Sequence, residues 1–177
     1  MCTECGLPYP IKLILDIFPE TILYGGAVRD LISGDTSNDY DILMSHETLT
    51  TILSGFFVPH GYSITIPDTE PKVYPDRMNV FPIVVFNQEE VLSCDLIYYK
   101  DERRIANSLE WERVDFDVNS LFMTSQGIFC RNPEMLEGVL NHIRNKQMVL
   151  IALKGRRRRK ILNRRTDKMI ERGWTLL

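Results

Sequence analysis

No apolar run in the 177-residue chain approaches the roughly 18 residues of a membrane-spanning helix, so no membrane partner is expected. The N-terminus has no basic segment followed by an apolar core, and a secretory signal is not expected either. Cysteine is scarce. The four present form no regular framework, which argues against a disulfide scaffold and for a reducing, cytoplasmic compartment. Cys2-Thr-Glu-Cys5 is a CxxC pair, but no second pair exists and a closed zinc site takes four ligands. Zinc would need Cys94, Cys130 or a histidine to complete it. Internal repeats and low-complexity linkers are also missing.

Charge is present in both signs but unevenly placed. The net charge is −3, yet residues 1–153 carry 11 Lys and Arg against 22 Asp and Glu, while residues 154–177 carry 10 against 2. An acidic body suits metal chemistry, and a basic tail suits a polyanion. The same tail also reads as a solvated basic helix packed on the acidic body. Both readings stay open.

Residues 22–44, ILYGGAVRDLISGDTSNDYDILM, organise the rest. Ile22, Leu23 and Tyr24 read as a strand, Gly25-Gly26 as a turn, and Ala27 as the opening of a helix. A polar loop leads to a second strand carrying Asp39 and Asp41. Residues two apart on a strand share a face, so these carboxylates stand together. A glycine pair lets the backbone approach a ligand closely, and the helix behind it offers unpaired N–H groups to an anion. Carboxylates suit Mg²⁺, which prefers hard oxygen ligands. The combination implies a site for a metal-bound nucleoside triphosphate.

The remaining pattern is that of one mixed α/β domain. Residues 10–18 and 46–57 read as amphipathic helices, 62–66 as a strand edge, and 67–79, with three of the nine prolines, as an exposed loop. Residues 81–86 and 91–99 form a hairpin across Asn87-Gln88-Glu89-Glu90. Asp95 is the only charged residue in the second of these strands. An isolated carboxylate there is costly to bury unless paired or metal-bound, so Asp95 is either a third ligand or an edge residue facing water. Residues 101–111 read as helix, 128–130 as strand and 133–144 as helix, with Asn132 as a possible cap. Residues 154–172 read as a basic helix with Ile161, Leu162, Met169 and Ile170 available for packing. Gly173 ends it, and residues 174–177 can tuck back.

The order and spacing of Gly25-Gly26, Val28-Arg29-Asp30, Gly34 and Asp39-x-Asp41 resemble the signature of the tRNA CCA-adding enzyme and bacterial poly(A) polymerase family. These belong to the DNA polymerase β-like nucleotidyltransferases. Residues 113–120, RVDFDVNS, resemble that family's R-R-D-F-T-I-N-A segment. Asp95 lies between the two, where the family places its third carboxylate. The likeness covers about residues 10–150.

That resemblance implies a nucleotidyltransferase head over residues 1–150 and a basic helical extension over 151–177. The fold implied is a mixed, mostly antiparallel sheet of about five strands flanked by helices. It implies two Mg²⁺ ions on Asp39, Asp41 and Asp95, with an NTP (ATP or CTP) as substrate. An RNA 3′-hydroxyl, that of tRNA first, would attack the α-phosphate. Gly25, Gly26 and Arg29 would face the triphosphate, and Arg113, Asp115 and Asn119 the sugar. On the residues alone, Arg29-Asp30 also reads as a helix ion pair and Asn119 as a cap. The basic helix, through Arg156, Arg157, Arg158, Arg159, Lys160, Arg164 and Arg165, would grip RNA phosphates.

Three departures bear on this reading. Val114 replaces the family's second arginine, Asp117 replaces its threonine, and residues 153–160 lack the E-D-x-x-R motif that selects the nucleotide. A partner chain or a homo-oligomer would supply the neck, body and tail domains of longer relatives. Alternatives are a toxin-like or virus-like transferase acting on another RNA or a protein hydroxyl, and a non-catalytic nucleotide- or RNA-binding module.

Overall fold

The computed structural model describes residues 6–37, 39–67, 72–73, 78–99, 114–151 and 156–177, with the side chains of 72–73 and 156–160 left aside. Cys2, Cys5, Arg113 and the helix expected at 101–111 lie outside the described residues. In chain order the elements begin with α1 (Tyr9–Ile17), β1 (Ile22–Tyr24), α2 (Gly26–Ser33), β2 (Asp39–Leu43) and α3 (His46–Thr51). Strands β3 (Ser63–Thr65), β4 (Lys72–Val73), β5 (Met78–Phe86), β6 (Val91–Tyr99), β7 (Leu121–Thr124) and β8 (Gly127–Cys130) follow. The chain finishes with α4 (Leu136–Arg144), β9 (Gln147–Met148), α5 (Arg156–Glu171) and β10 (Thr175–Leu176).

The sheet has eight strands rather than the expected five or so, in the order β3-β5-β6-β2-β1-β7-β8, with β4 also paired to β5. The count rises because residues 67–79 are not all loop. Lys72–Val73 pairs with β5, and β5 itself begins at Met78. Among the described residues, only β2 and β6 run parallel in this sheet. The expected helix at 46–57 is shorter than its apolar pattern suggests. Ser45 caps α3 through Thr48 N–H at 3.1 Å, but Ile52–Phe56 widens into a π-turn in which Gly55 adopts φ 116°.

Alternation along β2 separates two environments. Tyr40 and Ile42 are buried in the main core with Leu23, Leu96, Phe116 and the helix residues Ile14, Val28 and Val139. The opposite face buries a smaller cluster of Leu43, Val80, Ile97 and Tyr99. Asp41 lies two residues before Leu43, and Asp95 two before Ile97, so both carboxylates belong to that second face.

The C-terminal segment joins the main core. Leu162 and Met169, seven residues apart on one face of α5, are buried, whereas Ile161 and Ile170 face solvent, contrary to expectation. Seven residues is two helical turns, so only one stripe reaches the core. Trp174 folds back as predicted and is 2% exposed, and β10 adds a short parallel pairing with β9. Removing the buried indole leaves a cavity. Trp174→Ala is expected to lower stability by about 3–5 kcal/mol in denaturant unfolding, and Ile170→Ala by less than about 0.5 kcal/mol.

Candidate active site

The site starts from the two glycines. Gly25 has φ 74° and ψ −138°, a backbone conformation that residues with a Cβ rarely adopt, and it caps α2. A Cβ built there would sit 3.9 Å from Asp41 Oδ2, so the turn lies against the carboxylate. A Cβ at Gly26 would lie 3.3 Å from Arg29 Nη2. One glycine therefore makes the turn, and the other leaves room for the guanidinium.

Pairing register supplies the carboxylates. On parallel β2 and β6, Asp41 is directly opposite Asp95, with Asp39 opposite Ser93. Burial, then the charges of Asp39 and Asp95, raise the Asp41 carboxyl to about 7. The buried Cys94 thiol is pushed up to about 12, first by burial and then by Asp39 and Asp95, so it is no nucleophile. Tyr24, opposite Asp41 on β1, is raised too, by burial and by Asp41.

Hard-oxygen donors at this negative density fit a divalent cation in charge and chemistry. Among the described residues, however, no group of three or more such side chains forms a ready cage for a metal. Mg²⁺ characteristically uses one or two carboxylates with substrate phosphates and water, so a complete protein cage is not required.

Arg29 makes the helix ion pair expected on the residues alone. It is 4% exposed and donates from Nε (2.8 Å) and Nη2 (2.6 Å) to Asp30 Oδ1, the helix ion pair. Its Nη1 also donates to Asn119 Oδ1 at 2.6 Å, and its guanidinium stands 5.4 Å from the Trp174 ring centre. Asn119 Nδ2 in turn donates to Asp115 Oδ1 at 2.9 Å. Asn119 is thus no helix cap but the link between Arg29 and Asp115. Burial lowers the Arg29 pKa, and Asp30 opposes the shift.

Helix α5 closes this chain of contacts from the far side. Arg165 Nη1 is 2.7 Å from Asp115 Oδ2, and Arg172 Nη2 is 3.0 Å from Asp30 Oδ2. The polar connections run Arg172–Asp30–Arg29–Asn119–Asp115–Arg165 and return to the C-terminal segment, with Arg165 on α5 and Arg172 in the turn just past its end. Arg165, expected on an RNA-facing surface, reaches Asp115 while its side chain stays 59% exposed, and Arg164 beside it is exposed as well. Side chains of Arg156, Arg157, Arg158, Arg159 and Lys160 lie outside the described residues.

These groups line an open cavity of about 530 Å³, a size suited to a small ligand. Gly25, Gly26, Asp39 and Asp41 meet Arg165, Lys168 and Arg172 across it. Tyr24 and Arg131 line it as well. Sequence reasoning missed Lys168 and Arg172 because they looked like more of a solvated basic run. Arg131 carried no signal beyond following a strand.

The sequence matches no family model and no curated relative. Solved structures do match. The Bacillus stearothermophilus CCA-adding enzyme in complex with CTP superposes with a TM-score of 0.53 at 18% identity, covering 97% of this chain and 42% of that one. The chain shares the fold of the CCA-adding enzymes. A CCA-adding enzyme complex with CTP gives a TM-score of 0.52 at 15% identity, covering 82% of this chain and 35% of that one. A complex with ATP gives 0.51 at 19% identity, covering 82% and 34%. The chain thus spans well under half the length of these CCA-adding enzymes.

The raised Asp41 carboxyl has a measurable consequence. Its proton is held more tightly in the folded than in the unfolded chain, so its contribution to stability is complete below pH 4 and is lost as pH rises towards 7. In metal-free buffer, Asp41→Asn is expected to be more stable than the parent at pH 8. The gap narrows by about 2 kcal/mol on going to pH 5, followed by urea unfolding.

Proposed function

We propose that the chain transfers a nucleoside monophosphate from an NTP to the 3′-hydroxyl of an RNA, with tRNA as the first acceptor to test. The observation that carries this reading is the register that sets Asp41 beside Asp95, with the Gly25-Gly26 turn against the same carboxylate. The CTP and ATP complexes of CCA-adding enzymes with the same fold lend support.

In the proposed reaction the hydroxyl oxygen bonds to the α-phosphorus, the bond to the bridging oxygen of the β-phosphate breaks, and pyrophosphate leaves. The triphosphate lies between the backbone of Gly25 and Gly26 and the cations Arg165, Lys168 and Arg172 of the opposite wall. Fixed donors of this kind counter charge where it develops without reorganising. Arg29 serves from behind, holding Asn119 and hence Asp115 in place for the sugar. Asp39 and Asp41 would hold two Mg²⁺, with Asp95 joining one of them. A divalent cation held by these carboxylates would supply acidity to the hydroxyl and positive charge to the pyrophosphate. Arg164 and the arginine run that opens α5 are the proposed phosphate contacts of the RNA.

The test uses the whole chain with total RNA, Mg²⁺ and each labelled NTP in turn. Label is expected on RNA, and Asp39→Ala and Asp41→Ala are each expected to reduce the rate on the order of 10³-fold. Label on a protein hydroxyl would point to a different acceptor class. No transfer from any NTP would leave a nucleotide-binding module.

A further inference from the structure

Five successive pairings across the sheet place one residue from each of six strands in a single row. Pro82 on β5 faces Asp95 on β6, Asp95 faces Asp41, Asp41 faces Tyr24, Tyr24 faces Phe122, and Phe122 faces Phe129 on β8. Residues directly opposite one another share a sheet face. The row therefore begins with the carboxylates and continues as three aromatic side chains. Adjacent strands are about 4.8 Å apart, so Phe129 lies roughly 14 Å from Asp41 in the plane of the sheet.

The aromatic end of this row is accessible. Phe129 is 39% exposed on the outermost strand, and its ring lies 5.5 Å from that of Phe122 at an interplanar angle of 21°. Neither ring belongs to the buried core on the helix-covered face. Arg131, two residues past Phe129, places its guanidinium 5.8 Å from the Tyr24 ring centre. Arg131 and Tyr24 both line the reaction cavity with Asp39 and Asp41. Flat π-faces leading to a cation are what a short single strand of nucleic acid recognises, through base stacking and phosphate attraction. The cation also matters electrostatically, because Asp39, Asp41 and Asp95 would otherwise repel an incoming phosphate backbone.

We infer that Tyr24, Phe122 and Phe129, with Arg131, form a stacking platform for the single-stranded 3′ end of the acceptor RNA. The bases lie on Phe129 and Phe122, Arg131 meets a backbone phosphate, and the terminal hydroxyl arrives at the Asp41 end of the row. This assignment deepens the proposed transfer reaction and rests on it for the identity of the acceptor. It also gives the RNA an approach that does not depend on the C-terminal segment, where Arg165 and Arg172 are already paired with Asp115 and Asp30.

The experiment measures binding of a fluorescein-labelled single-stranded RNA hexamer with a free 3′-hydroxyl to the 177-residue chain, by anisotropy. Phe129→Ala is expected to weaken binding about tenfold, within the range of one base–aromatic stack. Phe129→Leu, which keeps the apolar bulk and guards against a folding defect, is expected to weaken it as much. Phe129→Tyr, which keeps a stacking ring, is expected to stay within about twofold of the parent. ATP affinity, measured in the same samples by displacement of a fluorescent nucleotide, is expected to be retained. Unchanged RNA affinity in both Ala and Leu variants overturns the platform. An equal loss of ATP affinity also overturns it, since the row would then hold the incoming base. A parent chain that binds no hexamer overturns it outright. Transfer to RNA that ignores Phe129 removes the platform and leaves the transfer reaction standing. Phe129-dependent RNA binding with no transfer from any NTP removes the reaction and leaves the platform.

Discussion

The site depends on a buried ion pair between sequence neighbours. Arg29 and Asp30 are each 4% exposed, and such charges are tolerable in a protein interior only when nearly every hydrogen-bonding group is satisfied. Helix α2 alone cannot satisfy them. Asn119 takes one arginine N–H, Arg172 takes the second carboxylate oxygen, and Trp174 covers the guanidinium. Those partners come from the segment before β7 and from the C-terminal segment. The cavity is consequently assembled by the same contacts that neutralise its floor. Removing one partner leaves an uncompensated charge, which is costlier than the net value of the pair.

A second buried carboxylate supports the same assembly. Asp117 is 2% exposed and accepts from Val118 N–H at 2.9 Å and Val149 N–H at 2.7 Å, with His142 Nδ1 at 2.5 Å from its other oxygen. It ties the turn that bears Asn119 to α4 and to the strand-like stretch beyond it. This is the position at which the resembling family has threonine. A hydroxyl offers a single oxygen where this carboxylate accepts on two, so the departure has a structural reason and leaves Asp115 and Asn119 free for the site.

What could be read from the sequence was local. Gly25-Gly26 and Asp39-x-Asp41 declare themselves because a turn conformation and a two-residue alternation are properties of a few adjacent residues. The capping by Asn132, which holds the 3-10 turn Pro133–Met135 ahead of α4, and the return of Trp174 were legible for the same reason. Strand count was not, since Lys72–Val73 is too short to show alternation and takes its conformation from β5. The neighbour of Asp41 was chemically guessable but geometrically hidden. Asp95 is more than fifty residues away, and only the parallel register of β2 with β6 sets them side by side. The row of Phe122 and Phe129 was hidden likewise, because each residue alone looks like an ordinary apolar strand position.

The two readings of the basic tail turn out to be compatible, and their compatibility follows from helical geometry. With 3.6 residues per turn, one stripe of α5 can carry Leu162 and Met169 into the core while Arg165 beside that stripe, and Arg172 in the turn after it, come over Asp115 and Asp30. Those charges pack on the acidic body. The opposite stripe, including Arg164, still faces solvent. A single helix thereby seals the interior, lends cations to the cavity and leaves charge for a polyanion outside. That arrangement ties the tail to the site: without it Asp30 would lose Arg172 and Asp115 would lose Arg165, in a cavity already lined by Asp39 and Asp41. The electrostatic cost of gathering these acids is thus offset from the C-terminal segment of the same chain.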